Sequence, residues 1–155
     1  MASGDPIRVF VTHAWSENDD YLRAFEYLES ARNFRYQNCS APGRRPAQGG
    51  VDAERDELRR QISTAEAVIA LGGLMGKERA LLTFEMTYAM SVEKPVVLLP
   101  PFGGASVAAS FKGLFHEELA WDERALSDAL RRQARHEQTA RFDTIEFKID
   151  DLDFK

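Results

Sequence analysis

Apolar residues fall along the chain in short continuous runs, separated by stretches with a helical period. This pattern predicts strands and helices in alternation. Ile7-Arg8-Val9-Phe10-Val11-Thr12, preceded by Gly4-Asp5-Pro6, predicts a buried first strand. Ser16 to Asp19 offers helix caps and acidic first-turn residues, and a helix over about Asp20 to Ala31 puts Tyr21, Leu22, Phe25 and Leu28 on one stripe. Phe34 to Asn38 alternates with period two and predicts a short strand near an edge. Cys39 to Asp52 has two prolines, three glycines and Arg44-Arg45 without periodicity, which predicts a long mobile loop. A second helix is expected over Ala53 to Thr64, with Leu58, Ile62 and Ala65 inward, then a strand at Ala67 to Leu71 stopped by Gly72-Gly73. A third helix over Arg79 to Val92 leads through Pro95 to a strand at Val96 to Leu99, which Pro100-Pro101 ends. A Gly-containing connection follows, with a short helix near Val107 to Phe111 and a fifth strand at Leu119 to Trp121. Asp122 then caps a charged helix to about Glu137, and Thr144 to Ile149 alternates like a further edge strand.

Fully apolar strands alternating with helices imply an α/β fold in which helices cover both faces of a parallel sheet. Right-handed crossovers make a flavodoxin-like three-layer sandwich of about five strands the economical topology. No internal repeat or composition break divides residues 1–155, so a single domain is expected. In such sheets ligands bind beyond the carboxyl ends of the strands. That edge collects Thr12 to Trp15, Asn38 to Ser40, Gly72 to Gly76 and Pro100 to Gly104.

Composition narrows the functional classes. A net charge of −5 gives no general attraction to nucleic acid or to an anionic membrane surface. One cysteine, Cys39, excludes an internal disulfide and an all-cysteine metal site. No apolar run has the length of a membrane span and Met1 to Pro6 has no signal-peptide core, so a cytoplasmic protein is expected.

Glu85 carries the strongest chemical signal. It is the one charge in Ala80 to Val92 and shares a helical sector with Leu81, Leu82, Tyr88 and Ala89. A carboxylate on such a face is either ion-paired, with Arg79 or an arginine of the long loop, or part of a functional site. Thr12-His13-Ala14-Trp15-Ser16 offers amides, a hydroxyl and aromatic surface at the ligand edge. The same residues also suit an ordinary turn, with Ser16 capping and Trp15 covering the core. Asn38 and Ser40 either contact a ligand or make an Asx-type turn. His13, His116 and His136 are too scattered for a metal site, and Gly72-Gly73 belongs to no phosphate-binding pattern.

Four segments, in order, carry a family resemblance: IRVFVTHAW-x3-DDY, YQNCSAPG, ELRRQISTAEAVIALGG and FEMTYAMSVEKPVVLLP. From about Arg8 to Phe102 the chain resembles TIR-like domains, especially the TIR-like component of bacterial Thoeris antiphage systems. Thr83-Phe84 stands where many of these enzymes carry an aromatic-Cys pair. The resemblance implies an NAD⁺-consuming enzyme, or a non-catalytic assembly or nucleotide-binding module on the same fold. It puts Glu85 at the catalytic position; for NAD⁺ cleavage, Thr12, His13, Trp15, Asn38, Ser40, Gly72 and Tyr88 are the expected substrate contacts. It implies no metal or prosthetic group, since NAD⁺ is the substrate. It further implies a homo-oligomer on activation and a separate effector that senses a nucleotide product.

Overall fold

The computed structural model describes residues 5–136, and it has the expected architecture. Five strands, β1 (Ile7–Val11), β2 (Tyr36–Asn38), β3 (Ala67–Leu71), β4 (Val96–Leu99) and β5 (Glu117–Glu118), form one sheet in the order β2-β1-β3-β4-β5. Every pairing is parallel; Val9 lies opposite Ala67 and Asn38, Ile69 opposite Val97, and Val97 opposite Glu117. Four helices cover the sheet: α1 (Asp19–Ser30), α2 (Gly50–Ser63), α3 (Met75–Ser91) and α4 (Glu123–Arg135). α1 packs on α4 and α2 on α3, which makes a flavodoxin-like three-layer fold.

β3 and β4 are apolar throughout, and β1 apart from the exposed Arg8, because helices bury both faces of the sheet there. Val9, Val11, Val68, Ile69, Val97 and Leu98 all have no solvent exposure. Two caps set the start of helices as the sequence implies. Asn18 Oδ1 accepts the Tyr21 N–H at 2.8 Å, and Asp122 accepts that of Ala125 at 2.8 Å. Asn18, not Ser16, is the α1 cap.

Several boundaries differ from expectation. Leu22 is exposed, and Ala24 takes its place on the buried stripe of α1 with Tyr21 and Leu28. β2 is shorter than Phe34 to Asn38. The long loop ends at Gly49, where a left-handed turn (φ 96°) starts α2 three residues early, and a Cβ there would meet the Ala53 Cβ at 2.6 Å. α3 begins at Met75, although the non-helical Glu78 (φ −124°, ψ 38°) breaks it, so the regular helix resumes at Arg79. β5 is Glu117–Glu118, ahead of the apolar Leu119 to Trp121. Leu119 still donates its N–H to Leu98 O at 2.9 Å, while the Trp121 indole donates to Pro100 O at 2.8 Å. α4 ends at Arg135, before the expected Glu137, where His136 turns into the left-handed conformation (φ 56°), and the expected strand at Thr144 to Ile149 lies outside the described residues. No described helix is long and apolar enough to cross a membrane.

Candidate functional site

Parallel strands bring Thr12, Asn38, Gly72 and Pro100 to the same sheet edge, and α3 presents Glu85 beneath it. The Glu85 side chain is entirely buried. Its Oε1 accepts the backbone N–H of His13 at 3.0 Å, and Oε2 has no hydrogen-bond partner among the described residues. Burial pushes its pKa well above the ordinary carboxyl range, against the opposing pull of the His13 N–H. The ion pair that would have made Glu85 structural is not formed. Arg79 lies over the Phe111 ring, Arg44 pairs with Glu57 and Arg45 with Glu54.

His13 is equally buried, and burial lowers its pKa although Gln61 and Glu57 favour the charged ring. The imidazole is therefore neutral near pH 7. Its Nδ1 accepts the Trp15 N–H at 3.1 Å, so Nε2 carries the proton and donates to Gln61 Oε1 at 3.0 Å. Gln61 Oε1 also accepts the Ala41 N–H at 2.9 Å. Its amide nitrogen donates to Ala41 O at 3.2 Å and to Glu57 Oε2 at 2.9 Å. One glutamine thus ties the β1–α1 loop to the β2–α2 loop and uses all four of its hydrogen-bonding positions. The supposed mobile loop is clamped at Ala41 and turned by a single 3₁₀ segment, Pro42–Arg44.

Trp15 carries two unfavourable features at once. Its backbone sits in the left-handed region at φ 65°, which costs a non-glycine residue about 1 kcal/mol or more. Its indole N–H is buried without a partner among the described residues, a further cost of about 1–3 kcal/mol. The ring packs edge-on to His13 with centroids 5.1 Å apart. The indole also packs against the hydrophobic core and is partly exposed.

The remaining expected contacts divide. Thr12 is buried, and its Oγ1 accepts the Leu71 N–H at 2.9 Å, stitching β1 to β3. Asn38 Oδ1 accepts the Ser40 N–H at 2.8 Å, the Asx-type turn, and also the Ser40 hydroxyl. Tyr21 OH joins the pair, 2.9 Å from Ser40 Oγ and 3.2 Å from Asn38 Nδ2. This cluster borders the His13 ring through Tyr21, 6.4 Å away between centroids. Gly72 and Tyr88 do not join it. A Cβ on Gly72 would meet Val107 Cγ2 at 2.6 Å and Leu99 O at 2.8 Å, so this glycine serves packing. Tyr88 faces α2, bonded to Ser63 Oγ at 3.0 Å and stacked on Phe84 beneath Arg59.

Gln61 and Tyr21 are the residues sequence reasoning missed. Gln61 lies between Leu58 and Ile62 on the inward face of α2, so the signal that singled out Glu85, a polar group among buried neighbours, was present there too. Tyr21 was legible only as apolar, because nothing in a stripe announces where its hydroxyl goes.

Compared with known proteins, the chain matches no family model and no curated protein.

Proposed function

We propose that the chain is a TIR-like, NAD⁺-processing enzyme that cleaves the nicotinamide–ribose bond, with Glu85 as the reacting carboxylate. The observation that carries this reading is a buried carboxyl group with one oxygen unpartnered, at the sheet edge where such folds bind ligands. In the reaction the bond from ribose C1′ to the pyridinium nitrogen breaks and its electron pair leaves with neutral nicotinamide. C1′ becomes oxocarbenium-like, and a carboxylate beside it stabilises that charge. Water then adds at C1′ and releases a proton, or a nucleophilic atom of the same ADP-ribosyl unit closes a ring. Glu85 must be ionised for this. The positive pyridinium of the incoming substrate offsets the burial that favours the neutral acid. Before substrate enters, the neutral His13 keeps its backbone N–H on Oε1, while Trp15, Asn38 and Ser40 line the approach.

By the same resemblance the product is a small nucleotide messenger for a separate effector in antiphage defence, and the active form is a homo-oligomer. A second reading is favoured by the complete burial of Glu85: a non-catalytic assembly or nucleotide-binding module in which a neutral Glu85 only accepts the His13 N–H. Incubating purified chain with NAD⁺ at low and high protein concentration, for the native protein and Glu85→Gln, separates the two. Release of nicotinamide that falls about 100-fold or more in a normally folded Glu85→Gln protein supports the enzyme. Equal turnover by the two proteins removes Glu85 from the reaction.

A further inference from the structure

Thr12 and Asn18 are fixed points. The first is bonded through its N–H to Ile69 O at 3.0 Å and through Oγ1 to the Leu71 N–H, and the second caps α1. Between them runs a short segment whose outer residues, Ser16 and Glu17, are exposed, while His13 is buried beneath. That segment supplies the sole hydrogen bond to the Glu85 side chain among the described residues, from His13 N–H. It also holds both unfavourable features of the region, the left-handed Trp15 and its unpaired indole N–H.

We propose that residues 13–17 are a gate over Glu85 and that Trp15 sets how often it opens. Turning the segment outward lets Trp15 return to an ordinary backbone conformation and gives its indole N–H an acceptor in water or on a ligand. The same motion withdraws the His13 N–H from Oε1 and uncovers the carboxyl group. Relief of the two costs at Trp15 offsets part of the packing lost on opening, so the open form lies closer in free energy than the packing alone would set it. What resists the motion is the bond from His13 Nε2 to Gln61 and the contact of the indole with the core. That the gate controls a reacting group rests on the reading of Glu85 above; the motion itself does not.

The test uses the full chain without any nucleotide. Glu85 is labelled with a water-soluble carbodiimide and an amine, in urea below the unfolding transition, and modification is read by peptide mass spectrometry. Local opening gives slow labelling with a urea dependence much shallower than that of global unfolding. In a Trp121→Phe protein Trp15 is the lone tryptophan, since the chain has two, and its quenching by acrylamide should rise with the same shallow dependence. Trp15→Phe keeps a ring and discards the unpaired donor, so it should label Glu85 about fivefold or more slowly, with Tm unchanged or higher. Labelling of Glu85 only through global unfolding, or labelling in Trp15→Phe as fast as in the native protein or faster, overturns the gate. A chain that passes but consumes no NAD⁺ keeps the gate and loses the enzyme; turnover without local labelling does the reverse.

Discussion

Two carboxylates at opposite ends of the sheet show what distinguishes a structural acid from a candidate reacting one. Glu66, just before β3, is partly buried and fully engaged. It takes two bonds of 2.8 Å from the Arg135 guanidinium and the Arg8 N–H at 2.9 Å, with the Arg8 guanidinium 3.6 Å away. Those partners, the Arg135 bond first, hold its pKa below the ordinary value. Glu85, at the carboxyl end, is more deeply buried yet has one backbone donor and an unused oxygen, and its pKa moves the other way. Folding alone would favour the first arrangement at both ends. The second raises the free energy of the folded chain, and it leaves a carboxyl group ready for a partner that the chain does not supply.

Reciprocal substitutions test that contrast most strongly. Glu85→Gln keeps an acceptor for the His13 N–H, so the fold should persist while nicotinamide release drops about 100-fold or more. Glu66→Gln should leave turnover per folded molecule unchanged but lower stability by about 1–2 kcal/mol, because a two-pronged charged contact is lost at a partly exposed place. Urea unfolding and NAD⁺ assays on both variants measure this. Loss of stability without loss of turnover in Glu85→Gln would make the two carboxylates equivalent and end the argument.

The clamp comes next in size. Gln61→Leu leaves the His13 Nε2–H, both backbone groups of Ala41 and one contact of Glu57 without their partner. Stability should fall by about 1–3 kcal/mol. Carbodiimide labelling of Glu85 should rise as stability falls, since the bond from His13 Nε2 to Gln61 no longer resists the opening of residues 13–17. A variant with native stability and native labelling would show that Gln61 does not hold the segment over Glu85.

The contrast was half legible in the sequence. β3 and β4 announce themselves as continuous apolar runs, β1 as one interrupted only by Arg8, and Glu85 stands out as the one charge in the apolar stretch Ala80 to Val92. β5 was misplaced because a two-residue edge strand of glutamates carries no alternation; its place is set by backbone pairing to Val97 and Leu98 and by Arg132 and Gln133 holding the Glu117 side chain. The early starts of α2 and α3 depend on a glycine turn and on a kink at Glu78, neither of which has a period. For the site, residue type and position pointed to Thr12, His13, Asn38 and Ser40. Which of their atoms were already used was beyond the sequence, because that is decided by partners such as Gln61 and Tyr21 from other helices.

Opposite pKa shifts give opposite pH dependence. For Glu66 the folded-state pKa is lowered, so its stabilisation is present above the unfolded value and is lost as pH falls through the folded one. For Glu85 the folded-state pKa is raised above the ordinary 4.5. Between the unfolded and folded values the unfolded chain binds fewer protons, so stability declines as pH rises. Glu85→Gln removes that decline, and its stability relative to the native protein should increase from pH 5 to pH 8. A difference that is flat across this range would mean the carboxyl group ionises at its ordinary pH when buried, through a partner not seen among the described residues.

The smallest expected effect concerns Arg44 and Arg45, which the sequence left unpaired and the structure does not. Arg45 lies 2.8 Å from Glu54, and Arg44 lies 3.7 Å from Glu57. Both guanidinium groups remain more than half exposed, and Glu57 draws its lowered pKa first from Arg60, with Arg44 the last contributor. Reversing both charges with Arg44→Glu and Arg45→Glu should therefore cost under about 1 kcal/mol per contact. If this loop meets a neighbouring copy when the proposed enzyme assembles, the double substitution should still abolish the rise of specific activity with protein concentration, since repulsion from the partner's acidic surface is added to loss of the contact. Sedimentation alongside NAD⁺ assays over a dilution series measures both. Specific activity that is independent of concentration in the native chain, and unaltered by the reversal, would leave these arginines as local partners of α2 and take assembly out of the proposal. The contrast between Glu66 and Glu85 would survive that result, because neither carboxylate touches the loop arginines.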